Sequence, residues 1–504
     1  MTIKPAKRYL LGYDVGSSSV KASLVDSQTG QSIGSAISPD QEMAIQSPKP
    51  GWAEQDPELW WQHIKTATAK LIQKSKVSSD EIAAIGISYQ MHGLVLVDKN
   101  HQPLRPSIIW CDSRAADIGQ QAFNDLGHQI CLEHFLNSPG NFTASKLKWV
   151  KENEPVVYSK IHKMMLPGDY IAMKMTGEIS TTKSGLSEGI LWDYKSNNLA
   201  GLLLDTYDIS SELIPVAHDC FESTAVLTTK AADELGLKAG IPISYRAGDQ
   251  PNNAFSLNVL QPGEIATTAG TSGVIYAVSE QPLYDPKSRV NSFIHVNHQT
   301  SNPSYGVLLC INGTGILNSW IKHNLLSDRI NYDEMNNIAS SIPIGSDGLS
   351  IFPFGNGAER IFENQNPGSI FYGLDFNRHQ SSHILRAAQE GIVFSMNYGF
   401  EIMKKMGIQA DTVKAGHSNM FLSPLFREAF VNSTETVLEL YNTDGAEGAA
   451  RGAGIGSGVF TDTKEAFSGL TQIDTIYPDK NKIAQYKEAC NLWMDKLNNH
   501  VLNK

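Results

Sequence analysis

Cysteine is scarce in this sequence: five residues, at positions 111, 131, 220, 310 and 490, odd in number and without paired metal-ligand spacing. This argues against a disulfide framework or a cysteine zinc site and predicts free buried thiols in a reducing compartment. No apolar run approaches the roughly 20 residues that a membrane-spanning helix needs. Met1–Arg8 has no apolar signal core, so the expected location is the cytoplasm and not the secretory route. Positive charge is also short, with 41 Lys and Arg against 52 Asp and Glu and a formal net charge of −11. Such a balance argues against nucleic-acid or anionic-membrane partners, which call for a basic patch. What is present, 41% hydrophobic and 18% charged residues, suits a globular chain. At 504 residues it exceeds what one core organises, so two domains are expected.

The stretch from Leu10 to Asp26 reads as two apolar strands joined by a turn of Gly16, Ser17, Ser18 and Ser19. Gly16 lets the backbone approach a ligand, the serines add hydroxyls, and successive turn amides can form an anion-binding nest. Asp14, at the end of the first strand, is a hard oxygen ligand beside that nest, suited to a Mg²⁺ carrying phosphates. An ordinary hairpin would read the same way. The pattern returns, however, about half a chain later: Glu264 to Val278 is again strand, turn (Gly270, Thr271, Ser272) and strand. Two similar halves, each with a phosphate-gripping hairpin, suggest two related domains closing on one nucleotide.

Along the chain, Asp56-Pro57-Glu58 opens a helix with Asp as N-cap and Pro in its first turn. Trp60, Ile64, Ala67 and Leu71 recur at helical spacing, and Trp60 and Trp61 read as core. The apolar strand Ile82–Ser88 runs into Gln90, Met91 and His92, placing them at a strand end, where open α/β sheets bind ligands. Trp110, Asp112 and Arg114 add a ring face, a carboxylate and a guanidinium suited to a polyhydroxylated sugar; Asp112 and Arg114 read equally as a structural ion pair. Residues 158–243 read as helices and loops, with a helix from Leu166 anchored under the sugar site, followed by a strand ending at Ala247-Gly248-Asp249. Asp249 reads as a base that takes a proton from a hydroxyl, or as the N-cap of a helix starting near Pro251. Gly313-Thr314-Gly315 opens a helix whose amides would favour phosphate oxygens. Ser381-Ser382 is expected to cap a long core helix closed by Gly407, and Thr475–Lys504 reads as a terminal helix without a site.

Several long motifs in order resemble the FGGY carbohydrate kinase family, from Tyr9 to about Phe460. They are Asp14–Lys21, Gly51–Pro57, Thr143–Val150, and Ser369–Leu374 running on to Glu390-Gly391. The resemblance implies an α/β fold of two actin-like (ribonuclease H-like) domains with a cleft between them, residues 1–247 on the sugar side and 248–504 on the nucleotide side. It implies an ATP-dependent kinase using Mg²⁺, acting on a small sugar. Gly16, Ser17, Ser18, Lys21, Gly270, Thr271, Gly315, Gly416 and Asn419 would hold the nucleotide, and Asp14 the metal. Gln90, Met91, His92, Trp110, Asp249 and Gln250 would hold the sugar, with Asp249 as catalytic base. Gln90-Met91-His92-Gly93 and Gly357-Ala358-Glu359-Arg360 resemble the family's xylulokinase branch and imply a ketopentose, D-xylulose first. Gln250 and Asn141 depart from that branch, leaving ribulose, glycerol or a deoxysugar as alternatives. A nucleotide-switched binding protein of the actin or chaperone kind is the alternative from another class; the cluster Gln90, Met91, His92 and Asp249 favours the kinase. Oligomeric state is open, a homodimer included.

Overall fold

The computed structural model describes residues 8–502 apart from 327–329, 359 and 364, so Glu359 of the Gly357–Arg360 motif lies outside the described residues, as does most of Met1–Arg8. The apolar strands assemble into two large sheets, one in each half. In the first, the strand order is Ala225–Val226, Pro242–Gly248, Ile82–Tyr89, Tyr9–Val15, Val20–Asp26, Ser32–Ser38. Tyr9–Val15 and Val20–Asp26 form an antiparallel hairpin, while Ile82–Tyr89 and Pro242–Gly248 run parallel to its first strand. The second sheet repeats the plan. Ile265–Ala269 and Gly273–Ser279 form the hairpin, Tyr305–Ile311 extends it, and Thr412–Gly416 and Val437–Tyr441 run parallel to its first strand. The duplication anticipated from Gly16 and Gly270 is therefore one of topology as well as of motif.

Helices cover the sheets as the apolar periodicity predicts. Pro57–Ser75 begins with Asp56 accepting from the Glu58 amide and buries Trp60, Trp61, Ile64, Ala67 and Leu71. On the other face lies Gly445–Gly456, a helix from late in the chain that returns to the first sheet. Its backbone approaches so closely that a Cβ on Gly12 would meet the Ala446 carbonyl at 1.9 Å, and one on Gly86 the Ala449 carbonyl at 2.0 Å. Small residues at 446, 449, 450 and 453 let the two backbones meet without a layer of side chains between them. Asp249–Ser256 crosses this helix, and Asn252 donates to the Gly445 carbonyl at 2.8 Å.

Smaller expectations shift at their edges. The apolar run from Gly93 to Asp98 forms a strand only at Val95–Val97. The long helix is Ser381–Lys405 with Gln380, not a serine, as N-cap, because His383 reaches back to accept from the Gln380 amide. None of the five cysteines forms a disulfide. Among the described residues, no helix is long and apolar enough to cross a membrane.

Candidate active site

Parallel pairing sets the site. Tyr9–Val15, Ile82–Tyr89 and Pro242–Gly248 end side by side, with Asp14 opposite Ser88 and Gly248 opposite Tyr89. The residues that follow these strand ends, Gln90-Met91-His92 and Asp249, therefore converge with Asp14 on one cavity of about 440 Å³. Asp14 accepts a hydrogen bond from the Ser88 hydroxyl at 2.9 Å. Burial pushes its carboxyl up to about 6, against the pull of Ser88 and with the help of the Asp444 carboxylate. Asp249 is the first residue of its helix, with Gly248 as N-cap, so the capping role considered for it is not the one it plays. Burial and the Asp14 charge push Asp249 up to about 7. A carboxylate that faces a cleft and titrates near neutrality is suited to general base work.

Gln90 is buried; its amide donates to Gln55 Oε1 at 3.4 Å, and its own Oε1 has no protein partner. Met91 packs against Gly248. His92 has a left-handed backbone, φ 60°, and its ring is wedged against Phe142 and Phe293, centroids 4.7 and 5.5 Å away. His92 Nδ1 lies 3.0 Å from the Glu188 carbonyl oxygen, an acceptor only, so the ring proton sits on Nδ1 and Nε2 is an acceptor. Burial and the nearby Lys146 ammonium push His92 down to about 3, so the ring is neutral. Lys146, from the Thr143–Val150 motif, is fully buried and donates to the carbonyls of His92 and Ile109, both at 2.9 Å.

Trp110 lines the same cavity, half exposed, its indole donating to Ser17 Oγ at 3.2 Å. Asp112 and Arg114 resolve as the structural ion pair. Asp112 is fully buried and held at 2.7 Å by Arg114, which also meets Glu54 at 2.7 Å and stacks on Trp52, 3.7 Å from its ring centre. No part of this pair lines the 440 Å³ cavity.

A second groove of about 270 Å³ opens beside the first, lined by Gly270, Thr271, Gly416, Asn419, Asp444 and Gln250 among others. Gln250 lines both spaces. Gly16, Ser17, Ser18 and Lys21 line the cavity from the first hairpin, while Ser272 reaches it from the second. Two expected phosphate donors are otherwise engaged. The Gly16 amide donates to Ser19 O at 3.0 Å, closing its own turn. The Gly315 amide donates to Gly270 O at 2.8 Å, so this helix start seats the second hairpin turn and does not line the groove. Lys21 pairs with Asp444, the N-cap of Gly445–Gly456.

Two residues here were given no site role from the sequence, and Asn141 stood there only as a departure from the xylulokinase-like pattern. Asn141 lines the cavity and has a buried Oδ1 without a hydrogen bond. Arg360 reaches in from the second half, donating to Ser138 Oγ at 2.9 Å and covering Phe142. Glu188 lies buried behind His92. Arg360 stood inside a motif already singled out and Asn141 just before one, whereas nothing near Glu188 in the sequence suggested chemistry.

Residues 9–256 match the N-terminal domain of the FGGY family of carbohydrate kinases, and residues 265–456 its C-terminal domain. The chain is 30% identical to the xylulose kinase of Bacillus subtilis over 497 residues, 96% of each chain. It is 29% identical to the xylulose kinase of Escherichia coli over 484 residues, 95% of this chain and 96% of that one. Among solved structures, ligand-bound xylulose kinase from Lactobacillus acidophilus superposes with a TM-score of 0.87 at 24% identity, covering 97% of this chain and 98% of that one. Plasmodium falciparum glycerol kinase with ADP gives 0.85 at 20% identity, covering 98% and 99%. These structures share the two-domain fold.

Proposed function

Because the chain belongs to the FGGY family of carbohydrate kinases, we propose that it transfers the terminal phosphoryl group of ATP to a hydroxyl of a ketopentose, D-xylulose before others, giving D-xylulose 5-phosphate. Family membership removes the nucleotide-switched binding protein from consideration. The observation that carries the substrate class is the convergence of Asp249, Gln90 and His92 on one cavity between the two hydroxyl-bearing turns. Gln90 Oε1 and His92 Nε2 are acceptors, matched to the hydroxyl donors of an uncharged sugar. The full-length likeness to two bacterial xylulose kinases favours D-xylulose among such sugars.

In this reading Asp249 accepts the proton of the attacking hydroxyl as its oxygen bonds to the γ-phosphorus and the bond to the departing ADP breaks. Gln90 and His92 fix the sugar against Asp249, and Trp110 closes one side. The groove at Gly270, Thr271, Gly416 and Asn419 holds the nucleotide, with Gly16, Ser17, Ser18 and Lys21 facing its phosphates. Among the described residues no three His, Cys, Asp or Glu side chains cluster as a metal cage. Asp14 alone beside the phosphate turn fits a Mg²⁺ that arrives with the phosphates and keeps most of its waters. Bound there, Mg²⁺ would neutralise phosphate charge. We take residues 1–247 and 248–504 as the two domains, place the enzyme in the cytoplasm, and note that these site residues all come from one chain, so a homodimer would leave each site complete.

ADP release assayed over D-xylulose, ribulose, glycerol and a deoxysugar tests this. D-xylulose should give the highest kcat/KM, with the product phosphorylated at O5. Preference for another member of the panel reassigns the substrate, and no sugar-dependent ADP release overturns the kinase reading.

A further inference from the structure

Glu188 closes the short helix Lys183–Glu188 and has 1% exposure. It touches His92 twice: Oε1 accepts from the His92 amide at 3.3 Å, and the Glu188 carbonyl oxygen lies 3.0 Å from His92 Nδ1. The other carboxyl oxygen, Oε2, is buried, makes no hydrogen bond, and lies against Gly248; a Cβ there would sit 2.4 Å from it. One side chain thus braces the backbone on both sides of the sugar pocket. His92 needs such bracing, since a left-handed backbone is costly for a residue with a Cβ and persists only where its surroundings fix it. Its amide is taken by Glu188 and its carbonyl by Lys146.

We infer that Glu188 is a positioning residue of the sugar site, tying the backbone that presents His92 to the strand end that presents Asp249. The inference rests on the kinase reading for what His92 and Asp249 do, and goes beyond it in naming what holds them. Gly248 is required by the same contact: any side chain there would collide with Glu188 and Met91. Burial, with the Asp249 and Asp169 charges behind it, holds Glu188 well above the usual carboxylate range, and Oε1 serves as acceptor to the His92 amide.

Glu188→Gln keeps the shape and the acceptor; Glu188→Ala removes both. We expect Glu188→Ala to raise the ketose KM about tenfold or more while the ATP KM stays within about twofold, and Glu188→Gln to recover wild-type behaviour within about threefold. A structure of Glu188→Ala should show His92 leaving the left-handed region, and one of Glu188→Gln should keep it there. An unchanged ketose KM with His92 unmoved overturns the inference. So does a parallel rise of both KM values with a fallen Tm, which marks a structural role alone, or a Glu188→Gln variant as impaired as Glu188→Ala. Should no sugar drive ADP release, the kinase reading fails, and the His92 backbone still decides whether Glu188 positions it.

Discussion

Lys21 Nζ lies 2.5 Å from Asp444 Oδ2, joining the phosphate turn of the first half to the helix that returns from the second. Both side chains are partly exposed, so the pair itself contributes at most about 1 kcal/mol of stability. Its place at the phosphate side gives it another use: nucleotide phosphates entering there can take Lys21 from Asp444.

Lys21→Met should therefore leave the melting temperature nearly unchanged and raise the ATP KM. A charge-assisted hydrogen bond is worth about 1.5–3 kcal/mol, so the rise should be on the order of tenfold or more. The ketose KM should not follow. Steady-state kinetics with each substrate varied in turn decides; an unmoved ATP KM removes Lys21 from the phosphate site.

Asp14→Ala should weaken the use of Mg²⁺–ATP while sugar binding without nucleotide stays intact. The basis is the position of Asp14, at a strand end beside the Gly16–Ser19 turn with the Ser88 hydroxyl on Oδ1. The variant should need more Mg²⁺ to reach half-maximal rate. Identical Mg²⁺ titrations for the two proteins would take Asp14 out of the metal shell.

Much of this was legible in the sequence, for a local reason in each case. Hairpin turns advertise themselves through Gly and hydroxyl residues, and apolar strands show where they stop; hence Asp14, Gln90, His92 and Asp249 were found. Position along the chain does not say which donors are already spent: the Gly16 amide closes its own turn, and the Gly315 amide goes to the Gly270 carbonyl. Nor does it say who meets whom. Asp112 and Arg114 read equally as pocket residues and as an ion pair, and what decides is Glu54 and Trp52, some 60 residues earlier, which enclose Arg114. Glu188 had no local signal because its meaning lies in His92 and Gly248, which only the sheet register brings to it.

That enclosure is testable. Asp112 is fully buried and accepts from the Ala53 amide at 2.6 Å as well as from Arg114. Removing one partner of a buried ion pair leaves an uncompensated charge at a cost of about 3–5 kcal/mol. Arg114→Ala should thus lower the melting temperature by many degrees, while the fraction that remains folded keeps the wild-type ketose KM. A normal melting temperature with a raised ketose KM would restore Arg114 to the sugar site.

His92→Ala should raise the ketose KM more than the ATP KM, by the worth of one or two hydrogen bonds to an uncharged sugar, about 1–3 kcal/mol. With its pKa pushed down to about 3, His92 stays neutral from pH 5 to 9 and should add no limb to the pH profile in that range. Equal losses for both substrates would count against the pocket assignment.

Asp249→Asn separates chemistry from binding. The general base must be ionised, and burial together with the Asp14 charge raises Asp249 to about 7. Ketose kcat/KM should accordingly climb with pH, with a slope of one proton, and level off above about 7. Asn cannot accept the proton, so kcat should fall roughly 10²–10⁴-fold. Calorimetry should show sugar affinity little changed, since an amide still bonds a hydroxyl. The stability sign runs the other way. A carboxyl whose pKa is raised in the folded state costs stability once it is ionised; the cost begins above its unfolded value near 4 and is complete above about 7. At pH 8 the Asn variant should therefore melt no lower than wild type, and higher if its amide is satisfied. Near-normal turnover by Asp249→Asn, or a flat wild-type profile between pH 5 and 8, would mean that another group takes the proton.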